Sequence, residues 1–254
     1  MRAIILAAGQ GARLRPLTDD RPKCMVEYQG RPLIEHVVRA LRDNGISDVV
    51  AVRGYEPQAL RCAGVRFYDN PRYLETNMVH TLFCAEPELE GDVVISYSDI
   101  VYTPRVVRRL LDADADFAVV VDRDWRELWQ RRMADPLKDA ETLRLDERGN
   151  IVELGKRPRS YADIEGQYIG LLKVRARAWP ELLAFYASLD RRARYDGKDF
   201  DNMYMTSFVQ AVIDRLMPVR AVPINGGWLE VDVPSDLEIS VDLEYPQQRE
   251  AHRS

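Results

Sequence analysis

The 254-residue sequence predicts an α/β fold with a mixed, mostly parallel central sheet flanked by helices. Three observations predict it. Apolar strand-like runs alternate with helix-spaced segments through residues 1–122, as βαβ units require. The first run, "RAIILAA", is continuously apolar and bounded by Gly9, the pattern of a strand covered on both faces. From residue 141 the rhythm changes to a hairpin and short strands, which predicts a small β-rich subregion.

After the first strand, "LIEHVVRALRDNG" has helical spacing and ends on a glycine C-cap signal. "DVVAVRG", "VRFYDN" and "DVVISYSDI" read as strands, with helical "TNMVHTLFCAE" before the third and "TPRVVRRLLDA" after it. "DFAVVVD" is the next strand. "TLRLDERGNIVELGK" forms a hairpin turning at Arg148-Gly149-Asn150, and strand "GQYIGLLKV" follows. Helices over "WPELLAFYASLD" and "MYMTSFVQAVIDRL" precede strands "VRAVPI" and "WLEVDV". "PSDLEISVDLEY" is expected as a final helix starting at Pro234 or Ser235. Residues 1–245 make one domain, and the polar tail 246–254 frays. No internal repeat is present.

An apolar content of 46% supplies a sizeable core for one domain of this length. The net charge of −5 is spread over both signs, which argues against a protein that works on nucleic acid or acidic lipid. No apolar run approaches the roughly 18 residues of a membrane span, and no charged leader opens the chain, so a cytoplasmic protein is expected. Cys24, Cys62 and Cys84 lack the paired spacing of a zinc or redox site and are expected to be reduced. Only five of the 36 basic residues are lysines, so each retained lysine marks a place where a compact ammonium can serve better than a planar fork.

The segment "AAGQGARLRPLTDDRPKCM", residues 7–25, concentrates glycine and positive charge directly behind the first strand. A dinucleotide-binding fingerprint fails because its third glycine is Leu14. A phosphate-loop lysine fails because Lys23 follows Pro22 and precedes Cys24. What remains is a loop whose glycines let backbone N–H groups face an anion, with Arg13, Arg15 and Lys23 in reach to neutralise it. A solvated basic turn is the alternative that composition alone favours.

"LAAGQGARLRPLT" followed by "PKCM" resembles the signature of nucleotidyltransferases of the sugar-nucleotide pyrophosphorylase type, G-x-G-x-R-L-x-P-L-T and then P-K, and the resemblance runs along nearly the whole chain. It implies a nucleotide-diphospho-sugar transferase-like, Rossmann-like fold. It places Ala7, Ala8 and Gly9 beside the base, Gly11 among the backbone donors to the triphosphate, and Arg13 and Lys23 on the leaving pyrophosphate. Mg²⁺ would be held by Asp99 of "ISYSDI" and Asp232 of "GWLEVDVPSDLE". Lys156 of "VELGKRP" would meet the acceptor's phosphate, although two residues separate it from Glu153 where the family has E-K-P. Arg157 is the alternative.

"ETNMVHTL" is similar to the phosphocholine cytidylyltransferase branch, which includes enzymes acting on 2-aminoethylphosphonate. That likeness implies CTP as donor, with Asn77 near the ribose or base and Glu75 beside it; Asn77 also fits a helix N-cap. Trp125 and Trp129 lie four apart and can receive an ammonium through cation–π attraction worth ~0.5–2 kcal/mol per ring, or simply pack in the core. Tyr195 and Asp199 of "RYDGKDFDNMYMTS" can neutralise a small cationic head, or belong to a solvated loop. Arg131 and Arg132 would instead suit a carboxylate or phosphonate. His36, His80 and His252 form no catalytic constellation, which fits in-line attack by an already ionised phosphate oxygen.

The expected activity is transfer of CMP from CTP to a small phosphorylated alcohol or phosphonate, such as phosphocholine or 2-aminoethylphosphonate, with release of pyrophosphate. A sugar-1-phosphate nucleotidylyltransferase and a nucleotide-binding regulatory domain without turnover are the rivals. A glycosyltransferase would need a D-x-D motif, and "YSDI" has one Asp. The acceptor's identity and the oligomeric state, a homodimer included, stay open.

Overall fold

The structure, a computed structural model, describes residues 1–243. The expected polar tail 246–254, with His252, and the end of the expected last helix lie outside the described residues. Strand β1 (Arg2–Ala7) is followed by a long loop, a two-stranded ribbon of β2 (Glu27–Tyr28) and β3 (Arg31–Pro32), and helix α1 (Leu33–Arg42). Next come β4 (Asp48–Arg53), β5 (Val65–Asp69), α2 (Met78–Phe83), β6 (Val93–Tyr97), β7 (Ile100–Tyr102) and α3 (Pro104–Asp112). Then follow β8 (Phe117–Asp122), α4 (Trp125–Arg132), the hairpin β9 (Leu143–Leu145) and β10 (Ile151–Leu154), and β11 (Gln167–Val174). Helices α5 (Trp179–Ser188) and α6 (Met205–Arg215) and strands β12 (Arg220–Ile224) and β13 (Trp228–Glu230) complete the described regular structure, apart from short 3₁₀ turns.

Seven strands form one sheet in the order β12-β8-β11-β6-β1-β4-β5. Four neighbouring pairs are parallel, and β11 runs antiparallel to both β6 and β8, so the sheet is mixed and mostly parallel. Burial on both faces explains the uninterrupted apolar run of β1. Ala3 and Ile5 pack with α1, α3 and α4, whereas Ile4 and Leu6 pack with α2, α5 and α6, the two-residue alternation of a strand. The chain leaves β1 towards β4 on one side and returns to β6 on the other. The loop after β1 therefore opens at a topological switch point, where such sheets place their ligands.

Two local details set the later geometry. In β11 the pairing with β8 is irregular between Tyr168 and Leu172, and Gly170 there sits at φ +82°. A Cβ at Gly170 would lie 2.5 Å from the Tyr97 ring, so the irregularity is where that ring is admitted. Lys173, nearly buried, donates from Nζ to the carbonyls of Leu111 (2.9 Å) and Ala113 (2.7 Å) at the C-terminal end of α3. An ammonium fits those two orphan acceptors of the last turn, which explains one retained lysine.

The expected helix over "PSDLEISVDLEY" is a correction. Among its described residues only a 3₁₀ turn forms, Pro234–Glu238. Beyond it the backbone is satisfied from the start of the chain: the Tyr28 hydroxyl donates to the Ile239 carbonyl and accepts from the Val241 N–H, and Gln29 Nε2 donates to the Val241 carbonyl. Those bonds replace helical ones and hold the segment out of a helix. "ISYSDI" also differs from a single strand, breaking at Ser98-Asp99 into β6 and β7, with β7 paired to β13.

Candidate active site

The loop after β1 turns through Gly9 and Gly11. Gly11 sits at φ +69°, and a Cβ there would lie 2.8 Å from Cβ of Lys23. The glycine thus lets the loop close down on Lys23, whose backbone N–H reaches the Gly9 carbonyl. Thr18 Oγ1 donates to the Gly11 carbonyl at 2.9 Å and fixes the turn.

Lys23 is nearly buried, and its Nζ lies 2.9 Å from Asp99 Oδ2 and 3.0 Å from Asp232 Oδ1. Asp99 stands between β6 and β7, and Asp232 directly follows β13. The pairing of β7 with β13 sets them side by side, and the Asp99 carbonyl accepts the Val231 N–H. Burial opposes the charge on Lys23, but the carboxylates of Asp99, Asp232 and Glu230 outweigh it and hold the ammonium above the ordinary lysine range. Arg13, largely exposed, reaches Asp232 Oδ2 at 2.7 Å. Two carboxylates and two cations from four segments thus meet at the mouth of the loop.

Two cavities flank this cluster and share Asn77 and Met78. The smaller, about 120 Å³, is lined by Ala8, Gly9, Lys23, Ser98 and Asp99. Asn77 caps α2, its Oδ1 accepting the Met78 N–H at 2.8 Å. Asn70, at the end of β5, donates to both Thr76 and Thr81 and shapes the wall leading to Asn77.

The larger cavity, about 270 Å³, is acidic and aromatic. Asp139, Glu141, Glu230 and Asp232 line it, and among the described residues that do, Arg13 is the only basic one. Trp129 and Trp228 contribute rings, as do Tyr97 and Tyr168. Asp122 accepts the Trp228 indole N–H at 2.8 Å, and Asp139 accepts that of Trp129 at 3.0 Å, so both rings are pinned. The Gln167 side chain accepts the Glu141 N–H at 3.0 Å and donates to its carbonyl at 2.5 Å, clamping that residue on the wall. Burial pushes the Glu141 carboxyl up to about 7, and Asp139, Glu230 and Asp196 add to the rise. No cation of the described chain pairs with it.

Sequence reasoning brings Ala8, Gly9, Gly11, Arg13, Lys23, Asn77, Asp99, Asp232 and Trp129 to this centre. Others lie elsewhere. Ala7 is sealed in β1 opposite Arg53. Trp125 packs behind the larger cavity, edge-on to Trp129 and stacked with Tyr161, rather than lining it. Lys156 points to solvent, 54% exposed, with Nζ 3.2 Å from Glu153. The Tyr195 hydroxyl donates to the Asp190 carbonyl, and Asp199 accepts from Asn202, both off the cavity wall because their loop closes on itself. Glu75 pairs with Arg72 at the surface. Arg131 donates to the Ser240 carbonyl, while Arg132 is buried against Glu230 and Asp236. Neither arginine faces the cavity, so Arg13 is the one arginine among the described lining residues that an acceptor's carboxylate would meet. His36, which burial holds below the ordinary histidine range, contacts the Tyr28 carbonyl through Nε2, and His80 lies in α2.

Glu141, Gln167 and Trp228 were missed because they come from distant segments. Glu230 had a readable signal. It stands two residues before Asp232, the spacing that returns to the same face of a strand.

No group of three or more His, Cys, Asp or Glu among the described residues is placed to hold a metal. The residues present still fit a magnesium ion, which takes one or two protein carboxylates alongside substrate phosphates. Asp99 Oδ1 is buried with no hydrogen-bond partner, and the Lys23 ammonium already sits between the two carboxylates as a cation does.

Residues 3–196 match the MobA-like NTP transferase domain. The chain belongs to this family. Over 253 residues, which span 95% of this chain and 100% of the relative, the MobA-like chain is 47% identical to a CTP:phosphoglutamine cytidylyltransferase of Campylobacter jejuni. A choline-phosphate cytidylyltransferase of Streptococcus pneumoniae is 36% identical over 106 residues, 40% of this chain and 46% of that one. Among solved structures, the inositol-1-phosphate CTP transferase from T. maritima matches with a TM-score of 0.72 at 22% identity, over 92% of this chain and 90% of its own, a likeness of fold. This MobA-like protein is an enzyme, a nucleotidyltransferase with the nucleotide-diphospho-sugar transferase fold. None of its described helices is long and apolar enough to cross a membrane.

Proposed function

We propose that the enzyme transfers CMP from CTP to a small phosphorylated acceptor bearing a cationic nitrogen, with phosphoglutamine the leading candidate, and releases pyrophosphate. The observation that carries this reading is the larger cavity: an acidic, aromatic chamber whose Glu141 carboxylate pairs with no cation among the described residues, opening directly onto the Lys23–Asp99–Asp232 cluster. A neutral sugar would leave that carboxylate unpaired, whereas an α-ammonium or a choline head would satisfy it. CTP as donor is supported by the full-length 47% likeness to the phosphoglutamine enzyme.

The backbone N–H groups of residues 8–14 hold the triphosphate, and Ala8, Gly9 and Asn77 bound the nucleotide in the smaller cavity. Arg13 and Lys23 leave the carboxylates for the phosphates and stabilise charge that develops on the leaving pyrophosphate. Asp99 and Asp232 would hold Mg²⁺. When bound, that ion would supply Lewis-acid polarisation of the α-phosphate. Glu141 and the two tryptophans anchor the acceptor's nitrogen so that its phosphate faces the cluster. The attacking oxygen is ionised at neutral pH, so positioning and charge neutralisation suffice and no general base is needed. The cytoplasm suits this chemistry, and the free thiols Cys24, Cys62 and Cys84 suit a reducing compartment.

The test is pyrophosphate release with Mg²⁺ across the four nucleoside triphosphates, each paired with phosphoglutamine, phosphocholine, 2-aminoethylphosphonate and glucose-1-phosphate. Release confined to CTP with a nitrogen-bearing acceptor is expected. Release with glucose-1-phosphate at a comparable rate would overturn the reading in favour of a sugar nucleotidylyltransferase.

A further inference from the structure

Arg132 ends α4, and its side chain is only 4% exposed even though it touches neither cavity. Its guanidinium spans two carboxylates that flank Asp232 in sequence. NH1 reaches Glu230 Oε2 at 2.9 Å, and Nε reaches Asp236 Oδ1 at 3.2 Å. Asp236 is fully buried, and its Oδ2 accepts the backbone N–H groups of Asp232 (2.8 Å) and Val233 (2.9 Å). A single planar fork therefore grips the segment two residues before Asp232 and the side chain that holds Asp232's own backbone. The guanidinium also lies 5.3 Å from the centre of the Trp129 ring, on the wall of the larger cavity.

We infer that Arg132 is a positioning residue: it fixes the Asp232 carboxylate at the metal and triphosphate and ties that carboxylate to the acceptor wall through Trp129. The inference rests on the assignment of Asp232 to the metal. The chemistry favours arginine because a guanidinium carries donors along two edges of one rigid plane, NH1 to Glu230 and Nε to Asp236, so it fixes the separation and direction of both carboxylates, whereas a lysine's single nitrogen fixes neither. An ion pair that served stability alone would tolerate loss of the fork as long as the charge remained. A positioning device would not.

The experiment compares Arg132→Lys, Asp236→Asn and Asp232→Asn in the full-length enzyme. It measures Mn²⁺ dissociation constants by electron paramagnetic resonance in the presence of CTP, kcat and KM for CTP and acceptor, and melting temperature. For Arg132→Lys the expected result is a fall in kcat of at least tenfold and a comparable weakening of Mn²⁺ binding, with KM for CTP within about threefold of wild type. Excess Mn²⁺ should restore part of kcat. Asp236→Asn keeps an oxygen for the two N–H groups but loses the pull on Arg132, so it should weaken Mn²⁺ in the same direction by a smaller factor; it also supplies the answer if Arg132→Lys does not fold. Wild-type Mn²⁺ affinity and kcat in both variants, with Asp232→Asn losing Mn²⁺, would overturn the positioning role alone. Unchanged Mn²⁺ affinity in Asp232→Asn would overturn the metal assignment and the inference with it.

Discussion

Replacing Glu141 by Gln tests the acceptor cavity from two sides at once. The carboxyl titrates at about 7 against an ordinary 4.5, a gap equivalent to about 3 kcal/mol for a fully buried group. Because the folded value is raised, the folded state holds the proton more tightly than the unfolded one. Stability is therefore fully present below about pH 4.5 and falls as pH rises through about 7. At pH 8 the ligand-free wild type has an ionised, cation-poor carboxylate in the wall, and a neutral amide of the same shape removes that cost. Glu141→Gln should stabilise the protein by about 1–3 kcal/mol at pH 8, a rise of several degrees in melting temperature, and by close to nothing at pH 4.5. The same change removes the acceptor's counter-charge, a charge-assisted hydrogen bond worth about 1.5–3 kcal/mol, so acceptor KM should rise roughly 10- to 100-fold while KM for CTP holds. The wild type's acceptor KM should also fall as pH rises through about 7, and the variant's should not. Thermal melts at pH 4.5 and pH 8, with steady-state kinetics across that range, read all three. Equal melting temperatures at pH 8 together with an unchanged acceptor KM would refute the reasoning.

The two loop glycines should separate cleanly. Gly11→Ala puts a methyl 2.8 Å from Lys23 Cβ in a left-handed conformation, and should lower the melting temperature by several degrees, about 1–2 kcal/mol, along with kcat/KM for CTP. Gly9→Ala meets no atom within 4 Å, so its melting temperature should stay at the wild-type value while KM for CTP rises, because the methyl enters the space given to the nucleotide. Asp99→Asn and Asp232→Asn should each lower turnover with Mg²⁺ at least 100-fold, read as pyrophosphate release. Lys23→Met should also lower turnover at least 100-fold, yet tighten the binding of Mn²⁺ measured without nucleotide, since it empties the space between the two carboxylates.

The fold was legible wherever local chemistry dictates it. The apolar run of β1, the turn at Arg148-Gly149-Asn150 and the helical spacing of α1 need no partner to be read. The conformation of the loop after β1 was legible for the same reason, since its glycines and cations lie within one stretch of chain. The larger cavity was not. Its wall is assembled from residues 139–141, 167–170 and 228–232, and Glu141 is held there by a side chain 26 positions away. The segment after Asp236 misled because its hydrogen bonds come from Tyr28 and Gln29, near the other end of the chain. Lys156 misled because likeness of motif places a residue in a neighbourhood and leaves its side-chain direction undetermined, and Tyr195 because the acidic, aromatic content of its loop does not say that the hydroxyl turns back to the Asp190 carbonyl.

The cluster at the loop mouth balances itself before any ligand arrives. Two carboxylates, Asp99 and Asp232, face two cations, Lys23 and Arg13, so the resting centre is close to electroneutral. A free dication meets little net attraction there, because Lys23 already stands between the carboxylates. On the proposed assignment, a triphosphate would draw Lys23 and Arg13 to itself and expose a doubly negative socket that matches the charge of one magnesium ion. Nucleotide and metal would then reinforce one another's binding by charge exchange, and by linkage each would strengthen the other by the same factor.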